Sequence, residues 1–285
     1  MSDLVPMLDT HQHLIYPERW PYSWTNDIPA LARKAFRYDD YVNLTRDAGV
    51  AGTIFMETSP DDPHWREETK FVYELASKPG SLIKGVIANC RPEEEGFEKY
   101  VDSVRPPKLV GFRRILHVVP DEVSRQPLFA QNVRWLGEQK LTFDLCFLGR
   151  QLPIAIELAK KCPETQLILD HCGVPDIAAG VLDPWRDHIR KLAKLPNVAC
   201  KISGVLAYCK PGNATLEAIK PFVDHCIECF GADRLVWGSD WPVVVINSTL
   251  PEWIRMARQL VARLSDTEQR KILHDNAVRI YRVRL

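Results

Sequence analysis

The chain has 285 residues, long enough for one large α/β domain, and 46% of them are apolar against 26% charged, which excludes a disordered chain. Lys+Arg and Asp+Glu both number 37, so the formal charge is zero. That balance argues against nucleic acid or an anionic membrane as the main partner, since both need a surplus of cations. No apolar run approaches the ~20 residues of a membrane span, and the opening Met1-Ser2-Asp3-Leu4-Val5-Pro6 has no basic region of the kind that begins a signal peptide. Eight cysteines lie between Cys90 and Cys229 at irregular spacings, several within apolar runs. They read as buried, reduced thiols of a cytoplasmic protein.

Short β-branched apolar runs alternate with stretches of helical period along the whole chain. Strands are expected over residues 7–13, 52–57, 83–90, 109–115, 141–147, 166–173, 198–203 and 235–239. Most are too apolar to keep one wet face, so both faces are expected to be buried. Helices are expected over 39–48, 64–76, 93–104 (stopped by Pro106-Pro107), 127–138, 151–161, 184–195, 216–230, 250–264 and 267–281. Strict alternation of eight strands with helices favours a parallel sheet with right-handed crossovers. At this length a single-domain (β/α)8 TIM barrel is the expected fold. A doubly wound open sheet is the runner-up, disfavoured because no Gly-rich phosphate turn follows the first strand.

In such a barrel the C-terminal strand ends share one mouth. The first ends Asp9-Thr10-His11-Gln12-His13, where alternation sends His11 and His13 the same way. Two imidazoles facing one mouth can hold a metal or polarise a substrate oxygen. The sixth ends Leu169-Asp170-His171-Cys172-Gly173, bringing a third imidazole. The eighth ends Trp237-Gly238-Ser239-Asp240-Trp241-Pro242. Asp240 is there either a helix N-cap or a carboxylate presented by a tight turn, and the lack of an immediate helix favours the carboxylate. On the fourth strand, Gly111-Phe112-Arg113-Arg114, at least one arginine must point inward and requires an anionic or carbonyl partner. Asp144 and Lys201 are charges inside apolar strands, either functional or an internal ion pair. Cys226 and Cys229 form a lone CxxC within a helix, a weak zinc signal. His64, His117, His188, His225 and His274 read as solvated surface. Trp20, Tyr22 and Trp24 belong to a long loop, 14–38, that either lids the mouth or packs on the barrel.

Taken in order, HxH after strand one, GFR on strand four, DHCG on strand six, CKISG on strand seven and WGSDWP on strand eight resemble the amidohydrolase superfamily. More narrowly they resemble its amidohydrolase-2 branch of lactone hydrolases, which holds sugar lactonases of the L-fucono-lactonase type and a pyrone-dicarboxylate lactonase. The resemblance runs from Leu8 to about Tyr281. It implies that His11, His13, His171 and Arg113 polarise a carbonyl and that Asp240 activates water. It also implies that Lys201 contacts substrate, and Asp144 matches the pattern as well; Trp24 and Tyr208 are further expected substrate-side residues. Arg113 and Asp144 stand where binuclear members carry metal ligands, which argues against a metal pair. No cofactor is required on this reading, although His11, His13, His171 and Asp240 have the donors for one zinc. The partner expected is a small lactone. Two alternatives stay open: a zinc-dependent decarboxylase of the same branch, and a non-catalytic barrel that binds a sugar acid.

Overall fold

A computed structural model of the protein describes residues 4–105 and 107–285. Met1, Ser2 and Asp3, part of the stretch read for a leader, and Pro106, read as a helix stop, lie outside the described residues. Eight parallel strands follow one another in sequence order around a barrel: β1 (Met7–Gln12), β2 (Val50–Met56), β3 (Ile83–Asn89), β4 (Leu109–Ile115), β5 (Thr142–Cys146), β6 (Leu167–Leu169), β7 (Val198–Ile202) and β8 (Leu235–Trp237). The helices between and after them are α1 (Tyr38–Thr45), α2 (Trp65–Ala76), α3 (Phe97–Ser103), α4 (Pro127–Glu138), α5 (Leu152–Lys161), α6 (Trp185–Ala193), α7 (Leu216–Phe230) and α8 (Leu250–Val261). The expected TIM barrel is therefore the fold, and the open-sheet alternative falls away.

Closure is made by the β1 and β8 ends. Gln12 bridges Trp241 in parallel, His13 N donates to Trp241 O at 2.7 Å, and Asp240 N donates to His11 O at 2.7 Å. Buried Asp9 reinforces the seam, its Oδ1 accepting Ser239 N at 2.7 Å and His11 N at 3.0 Å while Oδ2 accepts Tyr41 O–H at 2.7 Å. Asp9 and His11 would share a face in a regular strand, yet Asp9 turns to α1 while His11 meets β4 and β7. A register shift between Asp9 and Gln12 separates them.

Beneath the mouth the interior is apolar, with Leu8, Ile54, Ile87, Ile168 and Val236 packed together. A last helical segment closes it: α9 (Asp266–Arg270), a wider π turn over Lys271–Asp275, and α10 (Asn276–Tyr281), whose Ala277, Ile280 and Tyr281 join the same cluster. One continuous helix was expected over 267–281, and the π turn interrupts it. Several other expected elements are too long, and in two of them the backbone shows why. The sixth strand ends at Leu169 because His171 and Cys172 both adopt φ of 54°, which a strand cannot contain. The third helix begins at Phe97, after Gly96 at φ 79°.

Candidate active site

The C-terminal strand ends bring five of the expected residues together. His11 is fully buried; its ring lies 4.9 Å from that of His13 and 4.5 Å from that of His171. Asp240 Oδ1 lies 3.5 Å from His13 Nε2 and 3.7 Å from His11 Nε2. Arg113 Nη1 lies 3.2 Å from His11 Nε2. Above them opens a cleft of about 230 Å³, lined by His13, Arg113, His171, Tyr208, Asp240 and Trp24, together with Thr58, Ser59, Ile115, His117, Val118, Cys146 and Val243. Larger hollows occur elsewhere, one of about 490 Å³ beside α6 among them, but the convergent titratable groups are here.

Each functional side chain is held by its own device. His13 Nδ1 bonds Met56 O on β2 at 3.0 Å, and His171 Nδ1 bonds Ser203 Oγ after β7 at 2.9 Å. Both rings are thus fixed in orientation with Nε2 free. Asp240 sits at φ 55° on the turn after β8. The short helical turn after it is capped by Pro242, so Asp240 is not its N-cap. Gly204, at φ 67°, passes so close to the site that a Cβ there would stand 2.5 Å from His171 Nδ1 and 3.1 Å from Asp240 Oδ2. Gly204→Ala therefore combines backbone strain of about 1–3 kcal/mol with displacement of His171. We expect turnover to fall about 10²-fold, the scale of a 1 Å misplacement, which steady-state kinetics on the folded variant measures.

Burial governs the electrostatics. Asp240 is pushed up to about 6, chiefly by loss of water, with His171 and Arg113 pulling the other way. His13 is pulled down to about 3 by burial and by Arg113, and the His171 and His11 rings are lowered by burial as well. The imidazoles are therefore neutral near pH 7. Arg113 keeps its charge because Glu57 holds it: Nε donates to Glu57 Oε1 at 2.7 Å and Nη2 to Glu57 O at 2.8 Å.

Lys201 and Asp144 are fully buried and do not line the cleft. Lys201 Nζ donates to Asp144 Oδ2 at 2.7 Å, contacts Asp170 Oδ1 at 3.0 Å and lies 3.2 Å from His11 Nδ1. Tyr281 O–H donates to Asp144 Oδ2 at 3.0 Å from below. Of the two readings left open for Lys201 and Asp144, the internal ion pair is present beneath His11, and neither side chain lines the cleft. Trp24 is partly exposed on the cleft and anchored by Nε1 donating to Thr58 O at 2.9 Å, whereas Trp20 and Tyr22 pack inward. Two of the histidines read as surface are placed otherwise, and a third, exposed as expected, faces the cleft. His117 lines the cleft 3.5 Å from Cys146 Sγ, and His225 and His274 are buried.

Sequence reasoning missed Glu57, Asp170 and Asp9. Glu57 carried a usable signal, an acid directly ending an apolar strand; Asp170 stood beside His171 in the DHCG motif. All eight cysteines are free thiols and seven are buried. No described helix is long and apolar enough to cross a membrane.

The residues also bear on a metal. His11, His13 and Asp240 place two nitrogens and one oxygen within 4.8 Å of one another, as His11, Asp170 and His171 do separately. Both carboxylate oxygens of buried Asp170 lack an aligned hydrogen-bond donor among the described residues. The first trio has the donor types of a zinc site with an open position. The expected four-residue set is instead split between two trios that share His11. Each ring nitrogen of His11 faces a cationic side chain at 3.2 Å, so any cation bound through His11 would meet the charge of Arg113 or Lys201.

A parallel barrel with paired histidines at the end of β1, a histidine after β6 and an aspartate after β8 defines an amidohydrolase-type enzyme. The chain belongs to the amidohydrolase family, whose model matches residues 8–283. It is similar to the L-fucono-1,5-lactonase of Burkholderia ambifaria, with 27% identity over 97% of this chain and 95% of that one. It is also similar to the L-rhamnono-gamma-lactonase of Scheffersomyces stipitis, with 24% identity over 86% of this chain and 78% of that one. Among solved structures it resembles an amidohydrolase from Burkholderia multivorans with bound zinc, at TM-score 0.90 and 27% identity, covering 98% of this chain and all of that one.

Proposed function

We propose that the protein hydrolyses a small sugar-derived lactone to its hydroxy acid. The observation that carries this reading is the Asp240 carboxylate, raised to about 6 and set between two imidazoles and a cleft that also presents Arg113. The likeness to sugar lactonases supports the substrate class.

In this mechanism the lactone enters with its carbonyl oxygen toward Arg113 and the imidazole edges, and Trp24 and Tyr208 flank the sugar carbons. Asp240 takes a proton from a water as that water's oxygen bonds to the carbonyl carbon. The tetrahedral oxyanion is stabilised by Arg113 and by the Nε2–H of His171, whose Nδ1 accepts from Ser203 O–H, each well-aimed donor supplying roughly 3 kcal/mol. The ring C–O bond then breaks, and the departing alkoxide takes the proton back from Asp240. His171, fixed by Ser203, orients the carbonyl without changing charge, while neutral His13, donating Nδ1–H to Met56 O, keeps an unprotonated Nε2.

A zinc held by His11, His13 and Asp240 would supply Lewis-acid polarisation of the carbonyl and a more acidic water. We propose that the reaction does not require it, because a lactone is an activated ester. Exhaustive dialysis against a chelator, with zinc content measured, should leave at least about half the activity; loss to background, restored by zinc, would refute this part. The whole reading is tested by a pH-stat assay with a panel of aldonolactones. Proton release that is catalytic in wild type and absent in Asp240→Asn is expected. No catalysed release with any lactone would leave a sugar-acid-binding barrel instead.

A further inference from the structure

We propose that the cleft sorts lactones by charge, accepting uncharged polyhydroxylated rings and rejecting rings that bear a carboxylate or sulfonate. The inference rests on the lactonase reading and adds to it the electrostatic class of substrate.

Permanent cations decide which rings the cleft can hold. Arg113 is the sole Lys or Arg among the described residues lining the cleft. Its charge is met by Glu57 at 2.7 Å, and two of its three hydrogen bonds go to that one residue. The other cation nearby, Lys201, is sealed beneath His11 and shared between Asp144 and Asp170. In the hollow that adjoins the cleft through Tyr208, Arg150 points largely to solvent and is paired with Asp121 at 2.9 Å. A ring anion would therefore lose water in the cleft without gaining a free cation, and desolvated charge without a counter-ion is strongly unfavourable. Hydroxyl groups carry no such penalty: Thr58, Ser59, His117 and Tyr208 offer them neutral donors and acceptors. The same property favours turnover, because hydrolysis turns a neutral ligand into a carboxylate that the cleft holds poorly.

The test compares matched rings on the purified, full-length protein. The best hexono-1,4-lactone from a panel is paired with its hexaro-1,4-lactone, which differs only in a carboxylate replacing the terminal CH2OH. We expect kcat/KM to favour the neutral ring by at least about 100-fold, the scale of an uncompensated charge in a binding site. The hydroxy-acid product should inhibit only well above the substrate KM. Val118→Lys, at a position 69% exposed on the cleft wall, should shrink the ratio by about tenfold by supplying the missing cation. Equal rates on both rings would overturn charge selection and leave the lactonase reading standing. Hydrolysis of neither would overturn the lactonase reading, and the inference with it. A ratio unmoved in Val118→Lys would assign the preference to shape and overturn the electrostatic account.

Discussion

Asp240→Asn should lower kcat by about 10³-fold, within the range of a lost general base, and leave KM and the melting temperature nearly unchanged. Asn keeps the shape of the side chain and its place at φ 55°, so the turn after β8 persists. What it loses is the ability to take a proton from water. The imidazoles replace it poorly, because burial lowers all three and pulls His13 down to about 3, too weak a base for water. His13 is tied to Met56 O, His171 to Ser203, and His11 is wedged between Arg113 and Lys201. Steady-state kinetics with the best lactone of the panel, alongside circular dichroism, separates chemistry from folding. A variant retaining more than a tenth of wild-type kcat would show that another group is the base.

The second large effect falls on stability. Lys201→Met should cost about 3–5 kcal/mol, the usual penalty for removing one partner of a buried pair. Lys201 is the closest cation to both Asp144 and Asp170, all three essentially without solvent contact. Without it, Asp144, already raised to about 6 by burial, keeps Tyr281, and Asp170 at the end of the adjacent strand keeps only more distant contacts, His11 at 3.5 Å and Arg113 at 3.7 Å. For a chain of this size that cost corresponds to a melting temperature roughly 10 °C lower. Lys201→Met combined with Asp144→Leu should recover part of the loss, since one stranded charge goes with its partner. A loss below about 1 kcal/mol in the single variant, measured by urea unfolding, would mean that water reaches the pair and that His11 is not held as described.

The contrast between these residues shows what sequence can and cannot disclose here. The barrel was legible because alternating strands and helices leave few topologies, and β4, α4 and α7 fall at the expected bounds. His11, His13, Arg113, His171 and Asp240 were legible because each lies at or near the C-terminal end of a strand, and the barrel gathers those ends. Lys201 and Asp144 were legible as charges but not in depth. Two positions along a strand separate the mouth from the sealed interior, and no pattern in the chain marks that level. The left-handed turn at His171 and Cys172 was hidden because neither residue favours positive φ. His117 is exposed as read, but its place on the cleft was hidden because tertiary packing brings the loop after β4 to the mouth. Glu57 escaped because its partner lies 56 residues away on β4.

The most direct test is the pH dependence of kcat/KM between about pH 4.5 and 7.5, measured in wild type and in the residual activity of Asp240→Asn. A base must be ionised to act, so a carboxyl raised to about 6 makes activity rise with pH through that value and level off above it. His13, pulled down to about 3, stays neutral across the range and adds no second limb. The account predicts a single ascending limb near pH 6 in wild type and a flat profile in Asp240→Asn. An unchanged limb in the variant would contradict it, since the titrating group would then lie elsewhere.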